Sequence, residues 1–345
     1  MRLGILTGGG DCPGLNAVIR AIVQTAIKTH EWSVLGIRHG WRGLLLEEIE
    51  PLDLSSVSGI LPRGGTILGT SRTNPYKDPD GERVVRETMA RHGIDALIAI
   101  GGEDTLGAAV KLHLAGIPVV GVPKTIDNDV NGTDYTFGFD TALTIATEAI
   151  DRLHTTAESH DRVMVVEVMG RHAGWIALES GIAGGADMIL IPEFPVQFRE
   201  IQDAISRRHE RGKNFSIIVV AEGAQLADEG GRPLQTASTK TDAFGHPRLG
   251  GIGASLAERL EERTGYETRY SVLGHIQRGG SPTAFDRVLA SRFGVAAVDL
   301  AERRGFGRMV AIHGTQIVDV SMAESVGSLK RVGPELYDMA RVFFS

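Results

Sequence analysis

The chain carries one cysteine, Cys12, in 345 residues. That excludes an intramolecular disulfide and any metal site built from clustered cysteines, and it suits a reducing compartment, so a cytoplasmic location is expected. Cys12 itself is either a small filler in a glycine-rich turn or a nucleophile, and its surroundings favour the filler. Long apolar runs are missing too: no window approaches about eighteen uninterrupted apolar residues, so no transmembrane helix is expected. Basic excess is absent, since 36 Lys and Arg face 43 Asp and Glu for a net charge of -7. With no basic run either, a chain built to grip nucleic acid or an anionic membrane is excluded, and any anion site must be local. The opening "MRLGILTGGG" has one basic residue and an apolar run too short for a signal sequence; it reads as a first strand. Tandem repeats and low-complexity tracts are also lacking.

What is present is globular: 42% hydrophobic and 23% charged residues, enough for a sizeable core and, at this length, for two domains. Short apolar runs at 3–7, 94–100, 117–122, 162–168, 186–192 and 214–222 are continuous and rich in Val and Ile, as strands buried on both faces of a parallel sheet are. Helical spacing occupies the stretches between them. After Pro13, placed in a first turn, Leu15, Val18, Ile19, Ile22, Val23 and Ala26 share a face. Similar patterns fall at roughly 82–92, 105–115, 140–157, 172–183, 199–212, 251–264 and 284–303, giving repeated βαβ units. The strands exceed what one ordinary sheet holds, which predicts two α/β domains with a boundary near "GTDYTFGFDTA". The polar, glycine-rich 223–250 reads as a long surface loop.

Ligands of open α/β sheets sit beyond the carboxyl ends of the strands, and three loops have that address: 7–16, 101–107 and 123–129. In the first, "TGGGDCPGLN", glycines let backbone amides approach an anion at a helix N-terminus. It is neither a Walker A loop, because Leu15-Asn16 stand where Lys-Ser/Thr would, nor a dinucleotide fingerprint, because Pro13 replaces the third glycine. Turn geometry alone is the other explanation. The second loop follows Gly102 with Glu103 and Asp104; carboxylates beside an anion cradle make sense with a divalent cation between, and Mg²⁺ is the oxygen-loving candidate. The alternative is capping of the next helix by Asp104 or Thr105. In the third, "PKTIDND", either Asp127 or Asp129 can act as base toward an alcohol while the other helps hold metal, and Lys124 with Thr125 can hold phosphate oxygens. Arginines are expected for charge neutralisation; Arg72, Arg162, Arg171, Arg269 and Arg278 are the candidates.

Taken in order, "TGGGDCPGLNAVIR", "RGGTILGTSR", "GGEDT", "KTIDND", "VEVMGRHAGW" and "LGHIQRGGSPTAFDR" resemble the phosphofructokinase family, from the first strand to about residue 300. The resemblance implies an α/β fold of two Rossmann-like αβα domains with mainly parallel sheets. A large phosphoryl-donor domain would comprise 1–138 plus roughly 282–325, and a small domain for fructose 6-phosphate would comprise 139–281 plus the C-terminal segment. It implies Asp127 as the base for the sugar 1-hydroxyl, with Thr125 and Asp129 beside it. Arg72 and Arg171 would steady the transferring phosphoryl group. Gly10, Gly102, Asp104 and Lys124 would line the donor, and Glu103 would serve Mg²⁺. The sugar contacts would be Met169, Gly170, Glu222, His275 and Arg278, with Arg162 and Arg269 reaching a neighbour's 6-phosphate in a homotetramer or homodimer with shared sites.

ATP-using members resemble "GGDGS" and "PGTIDND", whereas this chain has Asp104 and Lys124 where those have glycines. A carboxylate at 104 would oppose a nucleotide's α-phosphate and a lysine at 124 would take a terminal phosphate, a pairing associated with the pyrophosphate-dependent branch. Glu103 departs from the family's usual aspartate. Gln24 and Leu54 replace arginines of the regulated bacterial enzymes, so weak or no control by phosphoenolpyruvate or ADP is expected. The expectation is therefore a reversible, Mg²⁺-dependent pyrophosphate enzyme, most like the bacterial short-chain, mixed-substrate group. The alternatives are an ATP or mixed-donor enzyme, an NAD or lipid kinase, and a non-catalytic sugar-phosphate sensor. "GHIQRGGSP" argues against the second, and an intact Asp127, Arg72 and Arg171 against the third.

Overall fold

A computed structural model describes residues 1–227 and 251–344. The chain divides into two compact units, Met1–Thr141 with Arg278–Lys330, and Ala142–Gln277 with Arg331–Ser345.

The first unit holds a seven-stranded sheet in the order Gln316–Ser321, Arg308–His313, Val119–Pro123, Ala96–Gly101, Arg2–Thr7, Ser33–Ile37, Ile49–Leu52. The inner pairings are parallel and only the two edge strands run antiparallel. Strand residues alternate between faces. Leu6, Leu97, Ala99 and Val119 join Trp41, Val85, Leu106 and Leu112 in one core. Helices Leu15–His30 and Ala284–Glu302 pack on each other and on the strands. Their contact is close because Gly294 has no side chain: a Cβ there would lie 2.6 Å from Ala21 Cβ and 2.8 Å from the Val18 carbonyl.

The second unit holds a parallel four-stranded sheet, Thr268–Val272, Val163–Val168, Ser216–Ala221, Met188–Leu190. Its core gathers Val163, Val165, Ile218, Val220, Ile201, Leu256 and Leu260. The C-terminal helix Pro334–Arg341 docks through Tyr337, whose hydroxyl donates to the Ile189 carbonyl at 3.1 Å and whose ring stacks on Phe194.

All six apolar runs lie on strands and each helical pattern on a helix. Among the described residues seven strands fall outside those six runs: Ser33–Ile37, Ile49–Leu52, Val196–Gln197, Leu226–Ala227, Thr268–Val272, Arg308–His313 and Gln316–Ser321. Pro13 is not in a helical first turn; the helix starts at Leu15 behind Gly14, which caps it at φ 104°. The expected 223–250 loop falls mostly outside the described residues; within it, Leu226–Ala227 pairs with Val196–Gln197. No helix among the described residues is long and apolar enough to cross a membrane.

Candidate active site

From strand Arg2–Thr7 the first sheet grows one way through Ser33–Ile37 and then the other way through Ala96–Gly101 and Val119–Pro123. Where strand order reverses, loops leaving adjacent carboxyl ends part and open a crevice. Segments 8–14, 102–105 and 124–129 leave the carboxyl ends around that reversal.

The glycine loop is held by neighbours that need its missing side chains. Gly8 donates to the Ile100 carbonyl at 2.9 Å, and Gly9 to Ser71 at 3.1 Å. A Cβ at Gly8 would begin 2.5 Å from Thr105 Oγ1, and one at Gly101 would begin 2.3 Å from Thr105 Cβ. The Ser71 contact sets exposed Arg72 beside the loop. Helix Glu103–Leu114 begins behind Gly102 with no side-chain cap, so Asp104 and Thr105 do not serve as its cap. Glu103 and Asp104 instead stand exposed in its first turn, where carboxylates suit the helix dipole. Cys12 is fully buried, donates to the Phe137 carbonyl at 3.7 Å, and burial pushes its thiol up to about 12. It is a core filler, as inert buried thiols are.

Along 125–130 burial alternates: Thr125, Asp127 and Asp129 are half-buried while Ile126, Asn128 and Val130 are buried. The alternation sends the chemistry-bearing side chains one way and the anchors the other. Asn128, at φ 51°, accepts from the Thr136 amide at 3.1 Å and donates to the Asp134 carbonyl at 3.3 Å, closing the loop. Thr125 Oγ1 accepts from the Asp127 amide at 3.1 Å. Lys124 is 3% exposed; its amide donates to Gly101 at 2.9 Å and its Nζ to the Gly10 carbonyl. Burial lowers its pKa, since it takes the ammonium out of water. Asp129 is pushed up to about 7, first by burial, then by the Asp127 charge, with Glu103 adding. Arg278 Nη1 donates to the Asp11 carbonyl at 3.3 Å.

In the second unit Met169, Gly170 and Arg171 follow the strand Val163–Val168, Glu222 follows Ser216–Ala221, and His275 follows Thr268–Val272. Backbone bonds join these loops: Glu222 donates to Val168 at 2.8 Å and Gly223 to Gly170 at 3.0 Å. A Cβ at Gly223 would meet the Arg171 carbonyl at 2.0 Å, so glycine is required for the approach. Gln277, wholly buried, accepts from the Met169 amide at 3.3 Å and donates to Gly274 at 3.1 Å. Arg162 and Arg269 are not with this group. They lie toward the amino end of the same sheet, where both pair with Glu267 Oε1 at 2.7 Å.

Sequence reasoning passed over the residues that position these loops. Asn16 donates to the Arg63 and Gly64 carbonyls at 3.1 and 3.2 Å and accepts from the Ile67 amide at 2.8 Å. Glu167, 2% exposed, accepts from Gly251 at 3.3 Å and Gly253 at 2.8 Å. A polar residue on an otherwise apolar helix face or strand was the available signal for both.

The phosphofructokinase family model matches residues 2–301. The chain is 61% identical over 344 residues to the pyrophosphate–fructose 6-phosphate 1-phosphotransferase of Amycolatopsis methanolica, covering 100% of both chains. It is 54% identical over 343 residues to the ATP-dependent 6-phosphofructokinase 3 of Streptomyces coelicolor, covering 98% of each. Among solved structures, phosphofructokinase from Saccharomyces cerevisiae superposes with a TM-score of 0.81 at 33% identity, over 94% of this chain and 45% of that one.

Proposed function

This chain belongs to the phosphofructokinase family, and we propose that it transfers a phosphoryl group from pyrophosphate to O1 of fructose 6-phosphate, releasing fructose 1,6-bisphosphate and orthophosphate. The observation that carries the donor assignment is the buried Lys124 ammonium at the Gly10 carbonyl, beside a helix whose first turn carries Asp104. A terminal phosphate matches that ammonium, and a nucleotide's α-phosphate would meet the carboxylate.

Phosphoryl transfer asks the protein for positioning and charge neutralisation. Asp127 takes the proton of the sugar 1-hydroxyl as its oxygen bonds to phosphorus and the bridging P–O bond of pyrophosphate breaks. Thr125 and Asp129 stand beside it, and Arg72 and Arg171 bear the charge that spreads over the transferring group. The first unit supplies the donor residues Gly10, Gly102, Asp104 and Lys124; Met169, Gly170, Glu222, His275 and Arg278 take the sugar phosphate. Arg162 and Arg269, paired with Glu267 away from that group, serve the 6-phosphate of a neighbouring subunit in a cytoplasmic homotetramer or homodimer.

Mg²⁺ fits the first unit. Burial and the mutual repulsion of Asp127, Asp129 and Glu103 hold the Asp129 carboxyl far above its ordinary range, which a cation would relieve. Among the described residues no cluster of three or more His, Cys, Asp or Glu is arranged as a ready-made metal site. Mg²⁺ needs no such cluster, because it keeps several waters and binds through one or two carboxylates and the substrate's phosphates. Glu103 with one of the two aspartates would hold it, and when bound it neutralises phosphate charge. ATP as donor is the second reading, favoured by the similarity to an ATP-named relative.

Initial rates with fructose 6-phosphate and Mg²⁺, supplying pyrophosphate or ATP, test the assignment. Turnover with pyrophosphate and little with ATP is expected; preference for ATP would overturn the donor assignment, and turnover with neither would overturn the activity.

A further inference from the structure

Lys124 Nζ bonds the carbonyl of Gly10, and Arg278 Nη1 bonds that of Asp11, one position on. The guanidinium lies over the turn: a Cβ added to Gly10 would be 2.6 Å from Nη1 and 3.2 Å from Cζ of Arg278. Among the described residues neither cation forms an ion pair with a carboxylate. Two positive groups held at adjacent carbonyls, one of them 3% exposed, repel each other, and the charges of Asp11 and Asp127 act on Lys124 without forming an ion pair with it, so an anion bonded to both cations would be favoured.

Arg278 is fixed there by backbone packing in the first unit. Gly64 approaches Gly280 so closely that a Cβ would sit 2.2 Å from the Gly280 carbonyl. The turn carrying Gly64 is bonded at both ends by Asn16, in the first turns of the helix that follows the glycine loop. The glycine loop and the Arg278–Gly280 segment therefore share one framework, and the guanidinium has its place before any sugar arrives.

Resting on the pyrophosphate reading above, we propose that Arg278 is a donor-binding residue, gripping the terminal phosphate of pyrophosphate jointly with Lys124 at the Gly9–Asp11 turn. Its planar fork suits two phosphate oxygens, whereas Lys124 is a point charge.

Calorimetric titration of the full-length protein with methylenediphosphonate and Mg²⁺, in the absence of sugar, isolates the donor. Arg278→Gln should weaken binding tenfold or more and Arg278→Lys should restore part of it; in steady state Arg278→Gln should raise the KM for pyrophosphate as well as that for fructose 6-phosphate. If Arg278→Gln binds the diphosphonate like the unaltered protein and raises only the sugar KM, the inference is overturned. If the unaltered protein turns over with pyrophosphate but both variants bind the diphosphonate as tightly as it does, the inference is overturned too. Failure of the unaltered protein to bind any diphosphonate would instead remove the pyrophosphate reading on which it stands.

Discussion

The Nζ of Lys124 donates to the carbonyl of Gly10 across a sequence separation of 114. This bond ties the loop after Val119–Pro123 to the loop after Arg2–Thr7 and places a buried cation against the glycine turn. Among the described residues the ammonium bonds a carbonyl and no carboxylate, so in the proposed donor site a phosphate oxygen would add to its interactions rather than displace an ion pair.

Removing that ammonium should therefore damage the use of pyrophosphate selectively. Lys124→Gly is expected to lower kcat/KM for pyrophosphate by roughly 10- to 100-fold, the worth of a charge-assisted hydrogen bond of about 1.5–3 kcal/mol. With Asp104→Gly added, the rate with ATP should rise. Parallel rate assays with the two donors decide it; equal losses for both would show that Lys124 does not discriminate.

Asp127 is the proposed base, and Asp127→Asn should leave fructose 6-phosphate binding within a few-fold. Turnover should fall by about 10²–10⁴, the usual contribution of a positioned base. Single-turnover kinetics alongside equilibrium binding separate the two effects, and a variant with unchanged turnover would rule out the mechanism.

Cys12 is wholly buried with its thiol pushed up to about 12. At pH 8 the native protein should react with a maleimide only as fast as it opens, and urea should release one reactive thiol. Rapid labelling of the native protein with loss of activity would contradict the filler role.

Asp286, fully buried, accepts from the Thr141 amide at 2.8 Å and its hydroxyl at 2.6 Å, and burial pushes its carboxyl from 3.8 to about 6. The raised value means that the folded state prefers the protonated acid. Its contribution is present in full below pH about 4 and is lost as pH rises through about 6, up to roughly 3 kcal/mol at 1.4 kcal/mol per pKa unit. Asp286→Asn should therefore gain stability relative to the unaltered protein between pH 4 and 7. Thermal midpoints across that range test this; a difference that does not change with pH would show that Asp286 has no such preference.

The long buried strands and amphipathic helices were legible because their patterns are local: "VMVVEV" and "SIIVVA" are apolar throughout and both strands are buried along their whole length. Thr268–Val272, "TRYSV", was not legible, because it is mostly solvent-facing and becomes a strand through its pairing with Val163–Val168. The antiparallel edge Gln316–Ser321 is likewise only half-buried.

By itself the sequence determined the α/β alternation, the family, and the residue types at the three loops, since these follow from spacing and from side-chain chemistry. Tertiary structure alone decided that Lys124 and Arg278 bond adjacent carbonyls of one turn, that Gly64 presses on Gly280, and that Arg162 and Arg269 share Glu267 toward the amino end of the second sheet. Each of these joins segments far apart in the chain, and such meetings depend on strand order and close packing, which no local pattern encodes.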